Sequence, residues 1–326
     1  MKAIQILAHG GPEVLTVADI DPPLASPGRV LVRVAAAGVN FIDTYQRSGQ
    51  YPTALPFVLG KEGAGEVIEV GDGVAGVAVG DRVAWAFAPH SYAEIASLAV
   101  EDLFAVPDDV TLETAAAAML QGLTAHYLVT SVHQVSPGET VLVHAAAGGV
   151  GLLLTQMAVA RGARVLGTVS TDHKAALAES AGAEIIRYDA FDDMTTELPD
   201  AVRALTRGEG VHAVFDGVGR TTFDGSLASL RPRGMLALFG AASGPVPPFD
   251  LQRLNAGGSL RVTRPSLAHF LATAEERAWR AGELFGAISD GTLDVRIGAA
   301  HPLAKAREAH EALEGRQTTG KVLLTI

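Results

Sequence analysis

Apolar positions along the chain fall into two textures. From residue 1 to about 100, short β-branched runs are broken by glycine and proline; examples are Val30-Leu31-Val32-Arg33-Val34, Gly65-Glu66-Val67-Ile68-Glu69-Val70 and Asp81-Arg82-Val83-Ala84-Trp85. Short strands between turn signals predict a barrel-like β domain. A helix is predicted from Leu112 to about Met119, with Thr111 as its N-cap. From Thr140 the texture changes. Apolar strands at 140–144, 164–169, 184–187, 211–215 and 235–239 alternate with helical patterns at 150–161, 172–181, 200–206 and 222–230. Fully apolar strands separated by helices predict a parallel sheet covered on both faces. After Pro265, two helices and a final strand, Lys321-Val322-Leu323-Leu324-Thr325, are predicted. Texture leaves open whether they extend the second domain or return to the first.

Composition narrows the classes. The chain has 326 residues, 48% of them hydrophobic, which suits two ordinary domains with real cores. No apolar stretch approaches the ~20 residues of a membrane span. Met1-Lys2-Ala3-Ile4-Gln5 lacks the apolar region of a signal peptide and reads as a first strand, so a cytoplasmic protein is expected. With no cysteine, disulfides, thiolate nucleophiles, Fe–S clusters and Cys-bound zinc are all removed. A formal charge of −11 with scattered basic residues argues against general nucleic-acid binding.

The segment Val143-His144-Ala145-Ala146-Ala147-Gly148-Gly149-Val150-Gly151 follows a predicted strand and opens a predicted helix. It matches the dinucleotide fingerprint with Ala145 in the first glycine position. Gly148 would let the backbone approach a pyrophosphate, Gly151 would allow close helix–strand packing, and the free N–H groups at the helix start would hold the anion. The bland alternative is a tight turn with no ligand. Enzymes that take NAD place an acid after the second strand, where it binds the ribose hydroxyl. Here that strand runs into Val169-Ser170-Thr171, and the nearest acid, Asp172, is expected to cap the next helix. Small hydroxyls with Lys174 beyond them suit a 2′-phosphate, and hence NADPH; a solvated surface lysine is the alternative.

Four dispersed segments then point to a family. Gly38-Val39-Asn40-Phe41-Ile42-Asp43-Thr44-Tyr45, Arg47-Ser48-Gly49-Gln50-Tyr51-Pro52, the glycine-rich turn, and Val262-Thr263-Arg264-Pro265-Ser266-Leu267 resemble the zinc-free quinone oxidoreductase (ζ-crystallin-like) branch of the medium-chain dehydrogenase/reductase superfamily. The resemblance implies an α/β fold with a GroES-like β-rich catalytic domain over 1–122 and a Rossmann doubly wound parallel sheet domain over 123–266. Residues 267–326 would return to the catalytic domain. It implies a homodimer paired through the edge strand near Ser259 to Arg264, and an active site in the cleft between domains. It also implies that Ser170, Lys174, Tyr188 and Arg316 surround the adenosine 2′-phosphate, beside a diphosphate held by Ala145, Gly148, Gly149, Val150 and Gly151. Asn40, Tyr45 and Tyr51 would line the nicotinamide and substrate pocket.

Zinc alcohol dehydrogenases resemble this chain but hold their metal with Cys, His and Cys. Aligned by motif, those positions are Asn40, Lys61 and Gln121 here. Amides are poor zinc ligands and a protonated lysine repels the metal, so no metal is expected. Without a Lewis acid, oxidation of simple alcohols is disfavoured. Quinones and conjugated enones are already electron-poor, and modest hydrogen-bond donors can stabilise the delocalised oxyanion they form. Asn40, Tyr45, Tyr51 and Gln121 are the candidate donors; the two tyrosines could instead only pack. NADPH-dependent quinone reduction is the first reading. Enone or alkenal reduction is the second, and a non-catalytic NADPH-binding protein, crystallin-like or RNA-associated, the third.

Overall fold

The computed structural model describes residues 1–326. The chain divides into two compact units, one of Met1–Leu123 with Leu271–Ile326, the other of Thr124–Phe270.

In the first unit the chain runs through β1 (Lys2–Ile6), β2 (Thr16–Asp19), β3 (Arg29–Val39), α1 (Phe41–Arg47), β4 (Phe57–Val58), β5 (Glu62–Val70), β6 (Arg82–Ala86), β7 (Ile95–Ala99) and β8 (Leu103–Ala105). α2 (Leu112–Tyr127) follows. β2, β1 and β4 form a small antiparallel sheet. β3 is the spine of the larger one. Its residues 29–33 pair with β7, and β5 lies along its other edge. The alternation in Val30, Val32 and Val34 faces them inward, against Val67, Trp85 and Leu98. Each such side chain contributes roughly 1.5–3 kcal/mol on full burial.

The second unit contains β9 (Thr140–Val143), α3 (Gly149–Ala160), β10 (Arg164–Val169), α4 (Asp172–Ser180), β11 (Ala183–Arg187), α5 (Met194–Leu205) and β12 (Val211–Asp216). It continues through α6 (Phe223–Ala228), β13 (Leu230–Leu238), α7 (Gln252–Ala256) and β14 (Arg261–Thr263). All pairings are parallel, in the order β11-β10-β9-β12-β13-β14. This is a doubly wound sheet whose strand order reverses between β9 and β12, the point where such sheets open a ligand crevice. Its core joins Leu142, Leu166, Val214 and Leu236 on the strands to Leu198 and Phe223 on the helices.

The last four elements are α8 (Ala274–Ser289), β15 (Ile297–Pro302), α9 (Ala306–Glu314) and β16 (Lys321–Thr325). β16 pairs antiparallel with residues 36–39 of β3 and parallel with β15, extending the large sheet of the first unit.

Several elements differ from the sequence expectation: β13 starts at Leu230, five residues early, α7 was not expected, and three others are instructive. α2 continues eight residues past Met119 because Gly122 does not break it; a Cβ there would lie 2.7 Å from Leu284 Cδ1, so the glycine admits α8. α5 starts at Met194, not Asp200, with Asp193 capping Thr195 N–H at 2.9 Å. Pro199, which reads as a breaker, is tolerated because only one early hydrogen bond is lost. β15 was not expected, since its side chains are mostly exposed and carry no apolar alternation.

Candidate active site

Between β9 and α3 the chain makes a tight turn. Ala145 is left-handed, with φ 51°, a conformation any Cβ disfavours. Gly148 is the extended N-cap of α3 and has no side chain to cover the helix start. A Cβ on Gly151 would lie 2.3 Å from the Ala145 carbonyl oxygen, so only glycine lets the helix pass this close to the turn. Gly149, Val150 and Gly151 form the first turn of α3, where N–H groups have no intrahelical acceptor. With the helix dipole they make a cradle for an anion.

The end of β10 lies next to this cradle in the sheet. The Tyr188 N–H donates to the Val169 carbonyl at 3.1 Å, which sets Tyr188 beside Ser170. Here one expectation is corrected. Thr171, not Asp172, caps α4: its Oγ1 accepts the Lys174 N–H at 3.2 Å. Asp172 is the first helical residue and is ion-paired to Arg187, which also holds Asp189 at 2.7 Å. A carboxylate at that position gains from the helix dipole and the guanidinium, leaving the cap to the hydroxyl before it. Asp172 is thus engaged by Arg187, with half-buried Lys174 two residues further on. Arg187 was missed by sequence reasoning, although its place opposite Val169 in the β10–β11 register is a usable signal. Arg316, expected from the family resemblance, lies in the first unit just past α9, exposed and left-handed at φ 56°.

In the first unit, Asn40 leads into α1. The amide Nδ2 donates to the Glu62 carboxylate at 2.9 Å and to the Gly38 carbonyl at 3.2 Å, while Oδ1 accepts from Lys321 Nζ at 2.8 Å. Lys321 is also ion-paired to Glu62, and both are completely buried apart from 1% of the lysine. Both Asn40 donors are therefore spent within the protein, which corrects its expected role as an oxyanion donor. Glu62 also accepts the Leu120 N–H at 2.6 Å, bringing the residue before Gln121 against the same carboxylate. Gln121 keeps its Oε1 buried without a partner. Tyr45 and Tyr51 come together edge-on, with ring centroids 5.3 Å apart, and Tyr51 N–H donates to the Tyr45 carbonyl. Tyr51 is 39% exposed and Tyr45 9%.

Behind α1 runs a second network. Asp43 Oδ2 accepts the Asn40 N–H at 2.9 Å and the Tyr92 hydroxyl at 2.8 Å. His310 Nε2 lies 3.3 Å from the Tyr92 hydroxyl, and its Nδ1 lies 3.1 Å from Arg47 Nη1. Burial pushes the Asp43 carboxyl up to about 7. Burial, reinforced by the Arg47 charge, pushes the His310 imidazole down to about 3. Half-buried Lys61 stands 5.8 Å from the Phe87 ring centroid, and burial lowers its ammonium against the attraction of Asp43 and Asp102. Glu62, Lys321, Tyr92 and His310 carried no local sequence signal; Asp43, three residues after Asn40, fits a capping box.

This set does not fit a zinc ion. Its members are an amide holding an ammonium, an unpartnered carbonyl oxygen and a second ammonium, and no three His, Cys, Asp or Glu side chains gather where they could hold a metal. No helix is long and apolar enough to cross a membrane.

Known proteins agree with this architecture. Residues 26–138 match the alcohol dehydrogenase GroES-like domain, and 149–278 match the family described as zinc-binding dehydrogenase. A quinone oxidoreductase of Pseudomonas aeruginosa is 46% identical over 99% of both chains. A mycobacterial protein solved in complex with NADPH superposes with a TM-score of 0.97 at 54% identity over the whole of both chains. The NADPH complex of Escherichia coli quinone oxidoreductase gives 0.96 at 41% identity, again over both whole chains. This chain is an oxidoreductase enzyme and belongs to the quinone oxidoreductases of the medium-chain dehydrogenase/reductase superfamily.

Proposed function

We propose that the protein reduces quinones with NADPH and without zinc. The observation that carries the reading is the open first turn of α3, an anion cradle next to the β10 end that leads to Lys174, with the nearby acids Asp172 and Asp189 both held by Arg187. The relatives solved with NADPH support the choice of cofactor. When bound, NADPH supplies the hydride. The chain's own part is to hold the diphosphate on the Gly149, Val150 and Gly151 N–H groups and the 2′-phosphate among Ser170, Lys174, Tyr188 and Arg316. Tyr45, Tyr51 and Gln121 serve the acceptor, stabilising a charge already spread over a conjugated ring. Solvent supplies the proton.

Purified protein should consume NADPH with a quinone panel at rates that chelators leave unchanged. About one zinc per chain, with activity lost on its removal, would overturn the zinc-free part. Faster turnover of enones or alkenals would favour the second reading, and NADPH binding without oxidation the non-catalytic one. Pairing of two chains through β14, an edge of the parallel sheet, belongs to the same proposal. Light scattering that gives a monomer at working concentration would remove it.

Cofactor choice gives a separate test. One charge-assisted hydrogen bond is worth ~1.5–3 kcal/mol, and every ~1.4 kcal/mol is tenfold in affinity. Lys174→Ala and Arg316→Ala should each weaken NADPH ~10-fold or more and leave NADH nearly unchanged, more steeply at low salt. Equal weakening of both cofactors, measured as dissociation constants, would show that the pocket is assigned wrongly.

A further inference from the structure

His144 precedes Ala145 in the glycine-rich turn and is only 2% exposed. Its Nε2 lies 2.9 Å from Ser226 Oγ and its Nδ1 3.0 Å from Thr168 Oγ1. Ser226 Oγ lies 2.8 Å from Asp216 Oδ2, and that carboxylate also takes the Thr222 hydroxyl at 2.7 Å and the Val218 and Gly219 N–H groups at 2.8 and 3.0 Å. The direction of every bond follows. A carboxylate only accepts, so Ser226 donates to Asp216 and its oxygen accepts from His144 Nε2–H. A neutral imidazole with one N–H must then accept at Nδ1, so Thr168 donates to it. The Thr168 oxygen is left to accept the Ala145 N–H at 3.3 Å. Burial lowers the His144 pKa, which agrees with the neutral ring.

One polarised chain therefore runs from the Ala145 N–H to Asp216. It crosses the point where the strand order of the sheet reverses, from the end of β9 to the end of β12. The two backbone neighbours are gripped as well: His144 N–H donates to the Phe215 carbonyl and Ala146 N–H to the Thr168 carbonyl, each at 3.1 Å. The residue at the centre is an alanine, held left-handed at a position where a glycine would need no holding.

We propose that Asp216, Ser226, His144 and Thr168 are positioning residues that hold Ala145 left-handed and so keep the first-turn N–H groups of α3 aimed at the cofactor diphosphate. The inference rests on reading this turn as the NADPH site. It predicts a specific coupling: the relay matters because position 145 carries a Cβ, and a glycine there relieves the need for it.

The test is a double-mutant cycle read by calorimetric NADPH titration. Ser226→Ala should weaken NADPH ~10-fold, with Ser226→Thr restoring wild-type affinity. In an Ala145→Gly background the same Ser226→Ala change should cost about 2-fold or less. An equal loss in both backgrounds, or none in either, overturns the proposal. If Ser226→Ala does not fold, Thr168→Val cuts the other end of the chain and should show the same rescue by Ala145→Gly. Nitrogen NMR of the His144 ring in the wild type should show a proton on Nε2 only; one on Nδ1, or on both, overturns the relay. Wild-type protein that binds no NADPH would sink the functional reading instead. The ring tautomer, and the coupling between positions 145 and 226 in thermal unfolding without ligand, would still judge the relay.

Discussion

Asp43 in the first unit and Asp216 in the second are both completely buried carboxyl groups without a salt-bridge partner, and the two are treated in opposite ways. Asp216 receives four donors, two on each oxygen. Asp43 receives two, both on Oδ2, and its Oδ1 has no partner. With so little to replace lost water, burial carries Asp43 up to about 7. Depth is the same in both places; the number of donors is not. Asp216 is an anchor whose two oxygens are both fully engaged. Asp43 is a group that exchanges a proton near neutrality beneath α1, the helix that carries Tyr45.

The largest effect should come from exchanging each acid for its amide. Asp216→Asn turns an NH₂ toward donors and should destabilise the fold by ~2–4 kcal/mol, through donors left unpaired. Asp43→Asn should cost less than ~1 kcal/mol at about pH 6, because the amide resembles the protonated acid that prevails below about 7. Urea midpoints of the two variants decide it, and equal losses would break the comparison.

A smaller effect lies in pH. The folded-state value of Asp43 is about 7 against an ordinary 3.8, so the folded chain keeps a proton that the unfolded chain releases. Its contribution to stability falls as pH rises from about 4 to about 7. His310, at about 3 against 6.5, runs the other way, and its contribution rises with pH from about 3 to 6.5. In wild type the two slopes oppose each other over their common range. His310→Gln should expose the Asp43 slope, so the variant loses stability on going from pH 4 to 7. Asp43→Asn should show the reverse. Flat profiles in both variants would mean that neither group titrates in these ranges.

The smallest effect concerns one hydroxyl. Tyr92 donates to Asp43 and thereby lowers its pKa. Tyr92→Phe should push the Asp43 titration, followed by carboxyl NMR, above about 7. The stability change should be under ~1 kcal/mol, since a carboxyl group that has lost a donor is protonated more readily.

The legible parts of this molecule were the local ones. The turn after β9 could be read because strand, glycine spacing and helix are contiguous. Tyr45 and Tyr51 stand six residues apart and meet, with a backbone hydrogen bond between them. What stayed hidden was long-range. Lys321 reaches Glu62 across 259 residues, and Ser226 reaches His144 across 82. No spacing rule links such pairs; only the order of strands in a sheet does. Exposed β15 escaped for another reason, since an edge strand of mostly small residues, Ile297-Gly298-Ala299-Ala300-His301-Pro302, carries no periodic signal. Asn40 was found as a residue of interest, but its donors were assigned to a ligand because the ammonium and carboxylate that claim them were out of view.

The pairing of β16 with β3 also bears on how the protein is made. The second unit is one uninterrupted stretch and can close as soon as it has left the ribosome, as domains generally do. The first unit cannot. Its spine strand is synthesised early, yet the neighbour of residues 36–39, and the ammonium that neutralises Glu62, arrive only with residues 321–325. Until then Glu62 has no counter-ion and the β3 edge is open, a template for other chains. Birth therefore reverses the written order: the nucleotide-binding half is finished while the half begun first is still waiting for its last strand.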